Sequence, residues 1–384
     1  MPIIDCDRHV IEPIAMWRDH LPPELRDGAP TLVDLAAHEP ALARLARLGP
    51  RGLEPLPPVP MLDGECLQRG FSERAQREIA RQTFARAAQL EAATRPDGQL
   101  AAMDAAGVDL GFLFPTYAMY LLAVDTMAPP RAAAFAHAYN SWLHAYCARD
   151  PHRLRGVGAI ARHDPAAMLT ELERIAGFGW TAVVLRPNPI CGRLLSDPVH
   201  EPFWAACAAR GITVALHEGT HARVPTAGAD RFHTRFAQHA CSHPMEMMMA
   251  LLDLIERGVL ERHPTLRVGF LEAGCGWLPY WLWRLDEEHH HLAGEVAEHV
   301  RMPPSAYFRR QCFVALEPGE PNLAETVRAI GPAHVVFGSD APHLDHEADL
   351  VARLAGPGGP LPPALLAQVA DANPRRWLGL PGAP

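Results

Sequence analysis

Asp7-Arg8-His9 near the start of the chain and Gly338-Ser339-Asp340 near its end each follow a run of apolar residues. A carboxylate and an imidazole two residues apart on an extended strand project to the same side, and this pairing of oxygen and nitrogen donors suits a first-row divalent metal. His217, directly after Val214-Ala215-Leu216, offers a second imidazole. His9, His217 and Asp340, with Asp7 as a further carboxylate, make a mononuclear site for Zn²⁺, with Mn²⁺ as the alternative, that leaves one position open. Water bound there would be acidified toward roughly pH 7. The chain contains no lysine, so all 35 basic residues are arginine. That removes Schiff-base chemistry and the carbamylated lysine that would bridge a second metal.

These residues need strands to carry them, and eight short apolar runs are present: 2–6, 109–114, 156–160, 182–185, 212–216, 266–271, 312–316 and 334–337. They lack polar alternation, as strands buried on both faces of a parallel sheet do. Helical patterns lie between them, at 130–149, 165–177, 198–210, 245–262, 278–292, 322–330 and 362–370, several opened by Asp-Pro signals such as Asp164-Pro165. The expected fold class is α/β, a (β/α)₈ TIM barrel with an insertion after strand one. One domain over 1–384 is expected, with 15–95 as insertion, lid or dimer arm. Barrel enzymes place their chemistry at the C-terminal strand ends, where Asp7, His9, His217, Glu218, Glu272, Glu317 and Asp340 all fall.

Each residue also has a plain structural reading. An Asp after Gly-Ser commonly caps a turn, and Glu218 or Glu317 can simply pair with an arginine such as Arg186. His221 and His239 are weaker candidates still, and His289-His290-His291 reads as a solvated helix face. It is the joint occurrence at four strand ends that favours a site.

A net charge of −9 without any basic block argues against nucleic acid or an anionic membrane as partner. A small-molecule substrate is expected. The eight cysteines are scattered with no C-x-x-C pair, which reads as a reduced, cytoplasmic protein, and no apolar stretch reaches the length of a membrane span. The aromatic segment 277–283 suggests a homodimer contact or packing of its helix on the barrel.

Several motifs in order resemble the amidohydrolase superfamily, in the amidohydrolase-2 branch that includes aminocarboxymuconate-semialdehyde decarboxylase and γ-resorcylate decarboxylase. They are Ile4-Asp5-Cys6-Asp7-Arg8-His9, Met103-Asp104-Ala105-Ala106-Gly107-Val108-Asp109, Asp150-Pro151-His152-Arg153, Val214-Ala215-Leu216-His217, Gly258-Val259-Leu260-Glu261-Arg262-His263-Pro264, Gly338-Ser339-Asp340-Ala341-Pro342-His343 and Asn373-Pro374-Arg375-Arg376-Trp377. The resemblance implies the barrel and assigns the metal to Asp7, His9, His217 and Asp340. The chain departs from the branch in two places: Asp7 stands where His-x-His is common, and Glu272 stands where its decarboxylases usually carry a histidine.

Glu272 is then either the proton-transferring acid/base or a carboxylate that holds a neighbouring side chain. Asp340 and His243 are the other catalytic candidates, with His243 read as lying in a loop before a helix at Met245. Arg186 is a candidate contact for a substrate carboxylate. The expected activity is metal-dependent hydrolysis of an amide, lactone or related carbonyl, because the strand-six histidine is missing. Non-oxidative decarboxylation of a small carboxylated aromatic or unsaturated acid is the alternative.

Overall fold

The protein was analysed as a computed structural model, which describes residues 1–34, 58–68, 73–219, 222–344 and 349–381. Its core is a (β/α)₈ barrel. The strands are β1 (Ile4–His9), β2 (Leu110–Phe114), β3 in two pieces (Leu154–Gly156 and Gly158–Ala159), β4 (Ala182–Leu185), β5 (Thr213–Leu216), β6 (Val268–Phe270), β7 (Cys312–Leu316) and β8 (Val335–Phe337). All neighbouring pairs are parallel. β3 breaks at Val157, so its first piece bonds to β2 and its second to β4. β1 runs three residues further than the apolar run suggests, so Asp7 and His9 lie within the strand.

The barrel closes where β1 meets β8. Asp7 O accepts from Ser339 N at 3.1 Å and Asp340 N at 2.7 Å, and His9 N donates to Ala341 O at 2.8 Å. Beneath this, the buried Asp5 carboxylate accepts from Ser339 N at 2.9 Å and Ser339 Oγ at 2.6 Å. The approach requires glycine at 338, because a Cβ there would sit 2.6 Å from Asp7 Cβ.

The helices cover the barrel's outer face, and Phe112, Phe114, Phe270 and Phe337 are fully buried. One helix departs from expectation. Instead of starting at Met245, it spans Arg235–Glu256, is capped by Thr234 Oγ1 accepting from Ala237 N at 3.2 Å, and runs through Pro244. His243 is therefore a buried helical residue, not a loop residue. A proline normally signals a helix start, but here burial of Met247, Leu251, Leu254 and Ile255 along the same helix offsets the backbone bond that Pro244 cannot make.

Between β1 and β2, the described residues form a small antiparallel sheet (Thr31–Val33, Val59–Leu62 and Glu65–Cys66) and helices Glu73–Ala85 and Ala87–Ala92. Much of the proline-rich stretch before Pro58, and His221, lie outside the described residues. No helix among the described residues is long and apolar enough to cross a membrane, and all eight cysteines are free. Tyr280 and Trp283 are exposed, whereas Trp281 Nε1 donates to Met248 O at 2.9 Å, tying its helix to Arg235–Glu256.

Gly338→Ala is expected to force β1 and β8 apart and cost about 1–3 kcal/mol of stability, read as a lower urea midpoint at unchanged slope. An unchanged midpoint would show that the seam tolerates a Cβ.

Candidate metal centre and its acid/base neighbours

Alternation along β1 aims Asp7 and His9 into the barrel mouth, where β5 and β8 deliver His217 and Asp340. His9 Nε2 lies 3.1 Å from His217 Nε2, 3.1 Å from Asp340 Oδ1 and 3.4 Å from Asp7 Oδ1, and His217 Nε2 lies 3.4 Å from the same Asp7 oxygen. Four donor atoms from three strand ends thus face one point.

The histidine tautomers follow from their outer contacts. His9 Nδ1 lies 3.0 Å from Pro115 O, and His217 Nδ1 lies 2.7 Å from Glu218 O. A carbonyl only accepts, so in the neutral rings both Nδ1 atoms carry the proton and both Nε2 lone pairs point inward. Pro115 O is itself held in place: the buried Glu12 carboxylate accepts from the amides of Thr116, Tyr117 and Ala118, the last two at 2.9 and 3.0 Å.

Two inward lone pairs and two carboxylate oxygens attract positive charge. Burial pushes the Asp7 carboxyl up, but His217 and His9 overcome it and hold Asp7 below the usual carboxylate range. Burial likewise opposes ionisation of Asp340, while His343 and His9 hold it well below. Burial and His343 pull His9 down, yet Asp340 and Asp7 lift it to about 9. Asp7 Oδ1 is buried with no hydrogen-bond donor, which fits a cation-binding atom. Asp7, His9 and His217 form one such group, and Asp340 shares others with His9 and His343 or with His217 and Glu272.

Glu272 Oε2 sits 3.3 Å from His217 Nδ1 and 3.5 Å from His243 Nε2. His243 Nδ1 is 3.9 Å from Glu218 Oε2, and Glu218 Oε1 is 2.6 Å from Arg186 Nη2. The structure therefore unites Glu272 and His243 beside the centre. Arg186 is buried one step behind them, on Glu218, with Nη2 also donating to Gly219 O at 2.8 Å. Both Asp340 and Glu272 have left-handed backbone, with φ of 53° and 52°. Such strain in non-glycine residues concentrates at functional sites.

His343 is a site residue that carried no assigned role in the sequence. Its Nδ1 lies 2.7 Å from Asp340 Oδ1, its Nε2 lies 2.9 Å from Thr116 Oγ1, and its ring packs 3.9 Å from that of His9. The signal was its place three residues after Asp340. Two cavities open onto the centre. One of about 340 Å³ is lined by Asp7, Asp340, Glu272, His243, Glu317 and Arg353. The other, about 240 Å³, adjoins His9 and His217 under Val59, Pro60, Ile79 and Leu90.

Residues 4–380 match the amidohydrolase family profile. The γ-resorcylate decarboxylase of Polaromonas sp. (strain JS666) is 25% identical over 57% of this chain and 70% of its own length. Among solved structures, 5-carboxyvanillate decarboxylase from Sphingomonas paucimobilis superposes with a TM-score of 0.69 at 22% identity, covering 99% of both chains. The 5-carboxyvanillate decarboxylase of Novosphingobium aromaticivorans, solved with manganese and 4-hydroxy-3-methoxy-5-nitrobenzoic acid, gives 0.67 at 20% identity over 99% of this chain and 96% of its own. The expectation of hydrolysis is corrected here: these relatives are decarboxylases, and a glutamate in place of the strand-six histidine was too weak a reason to prefer hydrolysis. With its motifs, barrel and matched residues in agreement, the chain belongs to the amidohydrolase family.

Proposed function

We propose that this protein is a metal-dependent, non-oxidative decarboxylase of a small carboxylated aromatic or unsaturated acid. The observation that carries the metal is the convergence of two pinned imidazole lone pairs with Asp7 Oδ1 and Asp340 Oδ1. The decarboxylase relatives support the reaction class. Asp7, His9, His217 and Asp340 are the proposed ligands; the donors suit Mn²⁺ or Zn²⁺, and the manganese of the Novosphingobium enzyme favours Mn²⁺. The bound ion would fix the substrate carboxylate and a neighbouring oxygen and offset their negative charge.

The remaining work falls to side chains. Glu272, within reach of both His217 and His243, donates a proton to the carbon that loses its carboxyl group, as the carbon–carbon bond breaks and CO₂ departs with no change of redox state. His243 returns a proton to Glu272, with half-buried His239 stacked 4.4 Å from it. Arg186 acts as a positioning residue through Glu218 rather than as a substrate contact. The described part of the segment 15–95 acts as a lid of a single barrel domain, since Val59, Pro60, Ile79 and Leu90 line the cavity of about 240 Å³ that reaches His9 and His217. The free cysteines fit a cytoplasmic location, and the exposed Tyr280–Trp283 face suits a homodimer.

In D₂O, a panel of hydroxylated benzoates is expected to release CO₂ and take one deuterium at the vacated carbon. Turnover of an amide or lactone panel without CO₂ release would overturn this reading. Asp340→Asn should keep its circular dichroism, bind less metal and lose about 100-fold or more in turnover. Glu272→Gln should retain metal yet lose roughly 100-fold in kcat; a loss of only a few-fold would demote Glu272 to support. Arg186→Met should leave Glu218 as an unpaired buried charge and destabilise the fold by about 3–5 kcal/mol. A raised KM with an unchanged denaturation midpoint would instead mark Arg186 as a substrate contact.

A further inference from the structure

The loop after β6 carries Glu272, and a second carboxylate, Glu320, grips that loop from the turn after β7. Glu320 Oε1 accepts from Gly276 N at 2.6 Å and Cys275 N at 2.8 Å, and its Oε2 accepts from Glu317 N at 2.9 Å and Cys275 Sγ at 3.3 Å. One carboxylate thus takes donors from two adjacent strand-end loops. Glu320 N donates in turn to Glu317 O at 3.1 Å, which closes the tight turn that presents it.

The local sequence leaves room for this contact. A Cβ at residue 274 would lie 2.8 Å from Glu320 Oε1, and one at residue 276 would lie 3.1 Å from the same oxygen. Gly274 also has a φ of 61°, which glycine adopts without steric cost. Between the two glycines the buried Cys275 thiol keeps its proton, because burial and then the charge of Glu320 push it up, and so it serves as a donor.

Glu272 lies between two anchored stretches. On one side Leu271 N donates to Leu216 O at 3.1 Å, which continues β6 beside β5. On the other, Trp277 Nε1 donates to Gly274 O at 2.9 Å, and buried Leu278 opens the helix Leu278–Val296. The φ of 52° at Glu272 is one that a non-glycine residue keeps only where its surroundings impose it. From that backbone its carboxylate reaches His217 Nδ1 at 3.3 Å and His243 Nε2 at 3.5 Å. Glu320 lines neither of the two cavities that open on the centre, so it acts on the loop and not on a substrate. We propose that Glu320 is a positioning residue that clamps the β6 and β7 loops together, holds Glu272 in its left-handed backbone and so keeps the Glu272 carboxylate beside His217 and His243. Its effect on turnover rests on the reading of Glu272 as the proton donor; its effect on geometry does not.

Full-length, metal-loaded Glu320→Ala is crystallised beside the unaltered protein, and Glu272 is expected to leave positive φ and carry its carboxylate out of reach of His243. With a hydroxylated benzoate as substrate, kcat is expected to fall about 10–100-fold while KM stays within about twofold. Glu320→Gln keeps one acceptor oxygen for the Cys275 and Gly276 amides and should recover much of that loss. In the Glu272→Gln background, Glu320→Ala should cost nothing further, because the side chain it positions is already disabled. A merely structural role would instead lower kcat by the same factor in both backgrounds. That result, or crystals with Glu272 unmoved, overturns the proposal. A displaced Glu272 with unchanged kcat supports the clamp and overturns Glu272 as the proton donor. Should Glu320→Ala fail to fold, Glu320→Gln passes through the same crystals and the same double-variant comparison with a smaller expected loss. Where no benzoate is turned over, the crystals decide.

Discussion

The seam between β1 and β8 is the constraint on which the site depends. The Asp7 carbonyl accepts the amides of Ser339 and Asp340, while the Asp7 side chain faces the metal centre, so one residue both closes the barrel and contributes a donor atom. Asp5 reinforces the seam from below. Burial raises its carboxyl above the ordinary value, Arg8 and Ser339 work against that rise, and the hydrogen bonds from Ser339 recover much of the cost of burying it. A barrel that failed to close here would separate Asp7 and His9 from Asp340.

Around that seam, the inner side chains are held by partners that themselves do no chemistry. Glu12 gathers three amides and thereby aims Pro115 O at His9; Thr116 Oγ1 and Asp340 bracket His343, which packs against His9. This outer layer fixes tautomer and ring direction before any ion arrives, which lowers the cost of assembling the centre. On the other side, a chain of charges runs from His217 through Glu272, His243 and Glu218 to Arg186. The carboxylates of Glu272 and Glu218 share His243 as a neighbour, so a change at one is felt by the next.

The eight strands, and Asp7, His9, His217, Asp340 and Glu272 at the barrel mouth, were legible in the sequence, because strand pattern and barrel geometry are local rules applied repeatedly. Alternation alone placed Asp7 and His9 on one side of β1. Other features were not legible. The helix expected to start at Met245 begins at Arg235 and runs through Pro244, which buries His243 within it. The reaction class was misjudged from one residue, Glu272, since the type of a single side chain does not say which bond its neighbours will break.

The sequence by itself determined which donor atoms exist and at which strand ends they emerge, since apolar runs, motif order and the absence of lysine are properties of the chain alone. Tertiary structure decided who meets whom. Arg186 pairs with Glu218, and His343 packs on His9. Such choices depend on distances across the barrel of a few ångströms and on which charges are stripped of water together, and neither is encoded in local spacing.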